Sequence, residues 1–404
     1  MHILFLTDNF PPEVNAPATR TFEHCQEWIK KGHQITVITC VPNFPHGKVY
    51  AGYKNKFYQS ETVNKIRVIR VWSYMSSNSG FSKRVLDYFS FACMSFFVGI
   101  FQKHDVIIAT SPQFFTTWSG WALSKIRRKP WIFELRDLWP ESIKTVGAMK
   151  QGRVIDLLEK IELGLYKSCN KVVAVTDAFK NNLITRGIRK DKIEVITNGS
   201  NMELFYPREA DTHLLNSLDL KGKFVVGYIG THGMAHSLDF IVRSIARVSD
   251  PSIHFLFIGD GAMKRKIVKI SKELQLKNIS FIDPVSKDEV PKYLSIIDIS
   301  LAPLKKDDDF KTVIPSKIFE SSAMQKPTLL GVQGQAQEIL DKYGAGICFE
   351  PENEVDFIEK LSILRDVSFY QKCQDGCADL AADYDRKKLA DKMLDVIDKI
   401  VKDQ

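Results

Sequence analysis

The sequence lacks an uncharged apolar run of about eighteen residues, so it predicts no helix that spans a membrane. It also lacks a basic segment before its first apolar stretch, and Asp8 interrupts that stretch too early for a secretory signal peptide. The seven cysteines are scattered and odd in number, and none has the partners of a zinc site. We interpret them as free thiols in a reducing cytoplasm, which excludes a disulfide-stabilised secreted protein.

Glycine and proline are not abundant, at 22 and 16 of 404 residues, which excludes collagen-like chains and long low-complexity linkers. Apolar residues make up 44% of the chain and charged residues 26%, as in globular proteins. Because a single core rarely grows past roughly 250 residues, this length predicts two or three domains.

Positive charge is concentrated in the first half of the chain. Residues 1–200 contain 28 of the 56 Lys and Arg but only 16 of the 48 Asp and Glu, and residues 51–130 alone have 12 against 3. The remaining residues are mildly acidic. A basic first half indicates an anionic partner, either a nucleic acid or a membrane surface, or else an ordinary solvated face.

Short apolar runs alternate with amphipathic stretches such as Ala18–Lys31 and Val154–Lys167, a pattern typical of a parallel sheet covered on both faces. In the first series, the predicted strands are Ile3–Thr7, Gln34–Thr39, Ile66–Val71, Val106–Ala109, Trp131–Phe133, Val172–Val175 and Ile193–Thr197. In the second series, they are Phe224–Ile229, Ile253–Ile258, Ile279–Ile282, Ile299–Ala302, Thr328–Leu330 and Gly346–Phe349.

The polar segment Met202–Lys223, which contains Pro207, separates the two series and is predicted to be a hinge. The sequence therefore predicts two α/β domains, one of residues 1–201 and one of residues 202–383. A last helix at about residues 384–404 is expected to pack back on the first domain. In such folds, ligands bind at the carboxyl ends of the strands and in the cleft between domains.

The apolar run Val85–Phe101 contains five phenylalanines and is flanked by Lys83, Arg84 and Lys103. It is too short and too interrupted to span a bilayer. Two interpretations stay open, a buried core helix or a helix that dips into a membrane interface.

The run Pro315-Ser316-Lys317-Ile318-Phe319-Glu320, followed by Lys326-Pro327, is the most informative motif. A loop here leads into a helix, which would offer amide groups and Lys317 to a diphosphate. Glu320, one turn further, could accept hydrogen bonds from both ribose hydroxyls. Lys317 and Glu320 alone would also fit an ordinary surface ion pair.

Three further turns follow strands in the second half. Val225–Gly233 is a strand that ends in a glycine-bearing turn, Phe257–Gly261 ends in Gly-Asp-Gly, and Pro284-Val285 follows Phe281. Glycines at such positions let the backbone approach a phosphate closely. Each turn alone also fits a simple strand-to-helix connection.

The first half has two motifs of its own. Phe10–Arg20 reads as a loop and a helix before the second strand, and Glu134–Glu141 spells Glu-Leu-Arg-Asp-Leu-Trp-Pro-Glu. Asp137 follows a buried strand, where a charge is costly without a role. It could bind an acceptor, cap a helix or pair with Arg136.

Together these segments, over nearly the whole chain, resemble the retaining family 4 glycosyltransferases of GT-B fold, an α/β architecture of two Rossmann-like domains with a central cleft. Glu134–Glu141 is similar to a signature of a bacterial surface-polysaccharide, fucosamine-transferase-like subgroup. The resemblance implies an enzyme that transfers a sugar from a UDP-sugar to a polyprenyl-diphosphate-linked saccharide. The sugar suggested by the subgroup is an N-acetylated sugar or a deoxy amino sugar. The product would be O-antigen, lipopolysaccharide, capsule or another surface polysaccharide.

The resemblance also implies site residues. Expected nucleotide-sugar ligands are Gly230, Thr231, His232, Gly233, Gly259, Val285, Thr312, Val313, Ile314, Pro315, Ser316, Lys317 and Glu320; expected acceptor ligands are Asn15, Arg20, Arg136 and Asp137; expected catalytic residues are Asp137, Lys317 and Glu320.

The sequence departs from the family at three positions. Many members have Arg and Lys where this chain has Thr231 and His236, and a glutamate where it has Thr312. The charge of the diphosphate would then rest on Lys317, amide groups and Arg20. The family's reaction is attributed to same-face attack, in which the donor phosphate takes the acceptor proton. We see no paired carboxylates and no Asp-x-Asp beside a strand, so no cofactor or metal is implied.

The expected location is the cytoplasm, in peripheral contact with an anionic inner membrane. An alternative is a UDP-sugar 2-epimerase of the same architecture, which would need acid and base groups in the cleft. A two-lobed sugar-binding protein is disfavoured by the absent signal peptide, and no nucleic-acid-binding module is recognised.

Overall fold

The computed structural model describes residues 1–44, 47–75, 81–111, 113–139 and 152–402. The chain forms two compact units, one of Met1–Thr197 with Lys387–Gln404 and one of Asn198–Arg386. Each unit is a sheet of mainly parallel strands with helices packed against it, a Rossmann-like arrangement. The α/β fold predicted from the alternation of strands and helices is confirmed.

The first unit contains an eight-stranded sheet in the order β3-β4-β2-β1-β5-β6-β7-β8. All described neighbours pair in parallel except β3, which runs antiparallel to β4 at the edge. The strands are β1 (His2–Leu6), β2 (Gln34–Cys40), β3 (Tyr58–Val63), β4 (Ile66–Val71), β5 (Val106–Thr110), β6 (Trp131–Leu135), β7 (Lys171–Ala174) and β8 (Ile193–Val195). The helices are α1 (Ala16–Lys30), α2 (Phe81–Ile100), α3 (Phe114–Arg127), α4 (Arg153–Ser168) and α5 (Asp177–Thr185).

The second unit contains a six-stranded, fully parallel sheet in the order β11-β10-β9-β12-β13-β14. The strands are β9 (Phe224–Ile229), β10 (Ile253–Ile258), β11 (Ile279–Ile282), β12 (Ile299–Pro303), β13 (Thr328–Gly331) and β14 (Gly346–Cys348). The helices are α6 (Thr212–Ser217), α7 (Leu238–Ile245), α8 (Lys264–Glu273), α9 (Val290–Ser295), α10 (Lys317–Ala323), α11 (Gln335–Tyr343), α12 (Glu354–Ile363) and α13 (Val367–Asp383).

A last helix, α14 (Arg386–Lys402), completes the core of the first unit. Its Leu389, Met393 and Ile397 are buried in one cluster with Phe5 and Trp28. The indole Nε1 of Trp28 donates to the carbonyl of Ala390 over 2.9 Å. The first unit is thus assembled from both ends of the chain.

Helix α2 has one packed face and one exposed face. Phe91 is fully buried, and Ser119 of α3 donates its hydroxyl to the carbonyl of Ala92 over 2.6 Å. On the other face, Phe97 is 59% exposed and, just beyond the helix, Phe101 is 82% exposed. The helix therefore packs on the sheet and also presents an apolar surface, and its contact with a membrane stays a prediction.

Across the described ranges, no helix combines the length and the apolar character needed to cross a membrane.

Candidate active site

Four of the predicted nucleotide residues, Gly230, His232, Gly259 and Lys317, cluster at the carboxyl ends of β9 and β10. The turns after these strands are bonded together, since the amide of His232 donates to the carbonyl of Asp260 over 2.8 Å. Lys317, at the start of α10, reaches the same place. Its Nζ lies 3.5 Å from the position that a Cβ on Gly230 would take. Residues from three separate motifs of the sequence thus meet at one edge of the sheet.

Two glycines make this close approach possible. Gly230 and Gly259 have φ angles of +143° and +136°, which side chains other than glycine rarely adopt. A Cβ on Gly259 would lie 2.0 Å from the carbonyl oxygen of Gly230. The backbone of the two turns can therefore pack together only with glycine at position 259.

Lys317 has a buried amino group that forms no ion pair with a carboxylate of the described residues. Its Nζ is buried, finds no hydrogen-bond acceptor among the described residues, and lies 3.5 Å from the centre of the Tyr228 ring. Burial lowers the pKa of Lys317 to about 7, and the charge of Glu320 only partly opposes this. A cation–π contact of this kind stabilises a protonated ammonium group. An unpaired buried donor of this sort is suited to an anion that is not part of the chain.

Two histidines lie beside Lys317. His232 is fully buried with both ring nitrogens unbonded, and the Nδ1 of His236 is also buried without a partner in the described part of the chain. Burial first, and then the charges of Lys264 and Lys317, lower the pKa of His232 to about 4. Burial and the charge of Lys317 lower the pKa of His236 to about 4 as well, and the backbone of Gly233 only partly opposes this. Both rings are therefore neutral near pH 7.

Glu320 lies on α10, one turn after Lys317, and its carboxylate forms an ion pair with the Nζ of Lys287. Lys287 also lies 4.7 Å from the centre of the Phe205 ring. The Glu320 side chain is 23% exposed, so one side of it is open. Glu320 therefore pairs with Lys287, and the surface ion pair between Lys317 and Glu320 that the sequence also allowed is not formed.

The other predicted nucleotide residues lie in loops of the second unit. Thr231 is exposed and its carbonyl accepts a hydrogen bond from Tyr228 over 2.6 Å, while Val285 packs against a neighbouring core. The hydroxyl of Thr312 donates to the carbonyl of Asp309 over 3.0 Å. Gly233, Val313, Ile314, Pro315 and Ser316 lie in the loops that lead to His236 and to α10. Their contact with a nucleotide stays a prediction.

The predicted acceptor residues of the first unit have unequal surroundings. Asn15 is the N-cap of α1, accepting from the amide of Ala18 over 3.0 Å. Arg20 is fully buried, with Nε bonded to Glu134 over 2.9 Å and both Nη atoms bonded to the carbonyls of Ile196 and Thr197. This geometry gives Arg20 a structural role inside the first unit. Neither the diphosphate contact nor the acceptor contact expected of it has support here, and both stay predictions.

Arg136 and Asp137 lie at the carboxyl end of β6. Their amides donate to the hydroxyl of Ser111 over 2.8 and 3.3 Å, which fixes the turn after the strand. Trp139 of the same motif stacks on Phe114 with ring centres 4.5 Å apart. Pro140 and Glu141 lie outside the described residues. Asp137 thus stands at a strand end, as the sequence predicted, and its role stays a prediction.

A buried carboxyl group at the end of β1 was missed by the sequence analysis. Asp8 accepts a hydrogen bond from Gln113, and its second oxygen finds no partner among the described residues. Burial, together with the charges of Asp87 and Glu13, raises the pKa of Asp8 to about 8. The sequence pattern that singled out Asp137, a carboxylate shortly after a buried strand, also applies to Asp8 and could have identified it.

Within the described residues, no three His, Cys, Asp or Glu side chains are grouped so that they could hold a metal ion.

Comparison with known families identifies the chain. Residues 18–204 match the model of Glycosyltransferase Family 4, and residues 223–366 match that of Glycosyl transferases group 1. The chain is a glycosyltransferase with a family 4 domain and a group 1 domain. The two matches cover most of both units, so the enzyme class predicted from the motifs is confirmed.

The glycosyltransferase is similar to WcaI of Escherichia coli (strain K12), a protein named as a colanic acid biosynthesis glycosyl transferase. The two are 26% identical over 365 residues, which cover 87% of this chain and 89% of WcaI.

Solved structures show the same fold at low sequence identity. Sucrose-phosphate synthase from Thermosynechococcus elongatus is 15% identical and superimposes with a TM-score of 0.80, covering all of both chains. Anabaena Alr3699/HepE, in complex with UDP and glucose, is also 15% identical and has a TM-score of 0.73, covering 99% of this chain and 100% of HepE. The glycosyltransferase therefore has the GT-B fold that the resemblance implied.

Proposed function

We propose that this glycosyltransferase transfers a sugar from a UDP-sugar to a lipid-linked saccharide during the synthesis of a bacterial surface polysaccharide, with retention of configuration. The observation that carries the donor half of the proposal is the buried Nζ of Lys317, which has no acceptor in the described chain. It lies beside two glycine turns where backbone can approach a phosphate.

Two comparisons support the choice of substrate class. HepE, of the same fold, forms a complex with UDP and glucose, and WcaI is named for colanic acid biosynthesis. Glu320 lies one helical turn from Lys317, the distance at which one residue can contact the ribose while the other contacts the diphosphate. The sugar itself is proposed only by resemblance, as an N-acetylated or deoxy amino sugar.

The proposed mechanism depends on positioning and on stabilising the leaving group. Lys317 would offset the charge that develops on the departing UDP, an effect worth several kcal/mol in a site that excludes water. The acceptor would be held by the first unit, where Asp137 and Arg136 stand at the end of β6. The donor phosphate would take the acceptor proton, and the proposal includes no metal ion.

The lipid-linked acceptor is proposed from the surface of the first unit. Along α2, Leu86 and Phe89 are 48% and 47% exposed, in addition to Phe97 and Phe101. The segment also lies in the basic half of the chain, near Lys83, Arg84 and Lys103. Apolar insertion and attraction to anionic lipid would then add, the second at about 1 kcal/mol per nearby basic residue. We propose peripheral binding to the cytoplasmic face of the inner membrane.

The donor can be tested with a panel of nucleotide sugars and thermal unfolding. UDP-sugars should raise the midpoint, since a ligand of the native state stabilises it by mass action, and ADP- and GDP-sugars should not. The Lys317→Met variant should no longer be stabilised by UDP-sugars. Its unfolding midpoint without ligand should match that of the wild type. Stabilisation by ADP- or GDP-sugars alone would contradict the UDP assignment. Conversion of one UDP-sugar into another without acceptor would favour the epimerase instead.

A further inference from the structure

Three side chains at the end of β9 have buried nitrogens that no acceptor satisfies in the described chain. They are the Nζ of Lys317, the Nδ1 of His236 and both ring nitrogens of His232. All three surround Tyr228, whose ring centre lies 3.5 Å from the Lys317 Nζ and 5.6 and 6.1 Å from the two imidazole centres. Buried polar groups are nearly always paired in native proteins, so several unpaired nitrogens at one place indicate a missing partner.

The charged groups that face this cluster are few. Lys264 and Asp260 act on His232 in opposite directions, and Glu320 acts on Lys317. Lys264 is held elsewhere, because its Nζ donates to the carbonyls of Gly259 and Ile282 over 2.9 Å each. Glu320 is paired with Lys287. Among the described residues, therefore, no carboxylate forms an ion pair with Lys317, His232 or His236 that would fix positive charge there.

Burial leaves these groups with little charge when no ligand is bound. The pKa of Lys317 is lowered to about 7 and that of His236 to about 4, so near neutral pH the first is only half protonated and the second is neutral. Permanent cations are absent from the two positions where many family members have Arg and Lys, here Thr231 and His236. A diphosphate that enters this place would raise both pKa values, because an opposite charge favours the protonated form.

We propose that the diphosphate of the nucleotide binds Lys317 and His236 together with protons taken up from solution, so that the ligand itself creates the positive charge of its site. The inference rests on the proposed function, since it assumes a nucleoside diphosphate at this place. It deepens that function by giving His236 the role of a second phosphate ligand and by making affinity depend on pH. No covalent step is involved, because each proton passes from water to a nitrogen.

The sign of the pH dependence follows from linkage. If the complex holds one proton more than its free parts, affinity falls as pH rises, by up to about tenfold per pH unit in the range between the free and bound pKa values. For Lys317 this range begins near pH 7. Uridine, which has no phosphate, should show no such dependence.

Titration calorimetry with UDP at pH 8 tests the inference directly. The terminal phosphate of UDP, with a second pKa near 6, is fully ionised there and contributes no proton of its own. The binding enthalpy is measured in Tris and in HEPES, whose ionisation enthalpies differ. We expect the two enthalpies to differ by an amount equivalent to about one proton taken up per UDP, and uridine to give none.

The role of His236 is tested at pH 6.5, where the wild type and His236→Gln are compared in the same two buffers. The ligand is the same in both, so a smaller proton uptake by the variant isolates the histidine. In the wild type, the imidazole resonances of His236 should move to protonated values when UDP is added, which requires no variant.

Equal enthalpies in the two buffers at pH 8, with UDP bound, would overturn the inference and leave the proposed function standing. Unchanged proton uptake in His236→Gln, or an unprotonated His236 signal in the complex, would remove His236 from the site. Failure of UDP to bind in any buffer would overturn the proposed function itself.

Discussion

Arg20 and Glu134 form an ion pair of 2.9 Å in which both side chains are buried, at 0% and 1% exposure. They lie 114 positions apart in the sequence and join helix α1 to strand β6. Burial alone would raise the pKa of Glu134, but the charges of Arg20 and Arg136 hold it below its usual range. The pair therefore contributes stability at neutral pH, which is lost as the pH falls below about 4.

Removing one member of this pair should destabilise the first unit. Glu134→Gln leaves the guanidinium of Arg20 buried without its counterion, and we expect a loss of about 3–5 kcal/mol in the free energy of unfolding. All six tryptophans lie in the first 139 residues, so fluorescence during urea unfolding reports on this unit alone. The surface variant Arg189→Ala, in the same unit and 77% exposed, is a control that should change stability by less than about 0.5 kcal/mol. A wild-type midpoint in Glu134→Gln would contradict the prediction.

Glu320→Ala should weaken UDP binding by about 1.5–3 kcal/mol, because a carboxylate that accepts two ribose hydroxyls makes charge-assisted hydrogen bonds. Calorimetry with UDP and with 2′-deoxy-UDP separates this role from others. The wild type should prefer UDP, and the variant should bind both ligands alike. Lys287→Ala, which removes the ion-pair partner, is the control and should retain the preference. If Glu320→Ala still discriminates between the two ligands, Glu320 is not the ribose ligand.

Asp8→Asn should stabilise the first unit at pH 8 and not at pH 4. The pKa of Asp8 in the folded protein is raised to about 8. Between about pH 4 and pH 8, Asp8 is therefore ionised in the unfolded chain but still protonated in the folded chain. Folding then requires uptake of a proton, so the free energy of unfolding falls as the pH rises through this range. The cost at pH 8 is on the order of 2–5 kcal/mol. Tryptophan-detected urea unfolding at both pH values measures the slope. Parallel pH profiles for the variant and the wild type would show that Asp8 is not the group responsible.

The exposed phenylalanines of α2 should control membrane binding. A Phe97→Ser and Phe101→Ser double variant should lose most of its co-sedimentation with anionic vesicles, because apolar insertion is removed. Val355 and Val367 of the second unit are 74% and 83% exposed, and their double serine variant is the matched control. Binding of the wild type should also weaken as salt is raised. Equal sedimentation of both variants would place the membrane contact elsewhere.

The strands of the second unit could be predicted closely from their apolar runs. β9, β10 and β11 have the predicted bounds, and the fully buried β12 and β13 each extend one residue further than predicted, to Pro303 and Gly331. Tyr58–Val63 was not predicted as a strand. It is β3, an antiparallel edge strand whose residues are exposed or only half-buried, and its sequence Tyr-Gln-Ser-Glu-Thr-Val contains no apolar run.

The candidate site was predictable only where a motif carried the information. The proximity of Gly230, Gly259 and Lys317 follows from strand ends that meet at one edge of a parallel sheet. The surroundings of Arg20 could not be read from its neighbours in the sequence. Glu134, Ile196 and Thr197 surround it only after the chain has folded, and burial of a long-range ion pair has no local pattern.

The position of α14 affects the order in which this protein can mature on the ribosome. Phe5 and Trp28 are synthesised early, yet the side chains that cover them, Leu389, Met393 and Ile397, leave the exit tunnel only after the whole second unit has been translated. The apolar face of the nascent first unit therefore stays uncovered until α14 has been synthesised. Dividing the gene after residue 197 would make that exposure permanent, whereas grafting residues 387–402 onto the early segment by a flexible linker would close it.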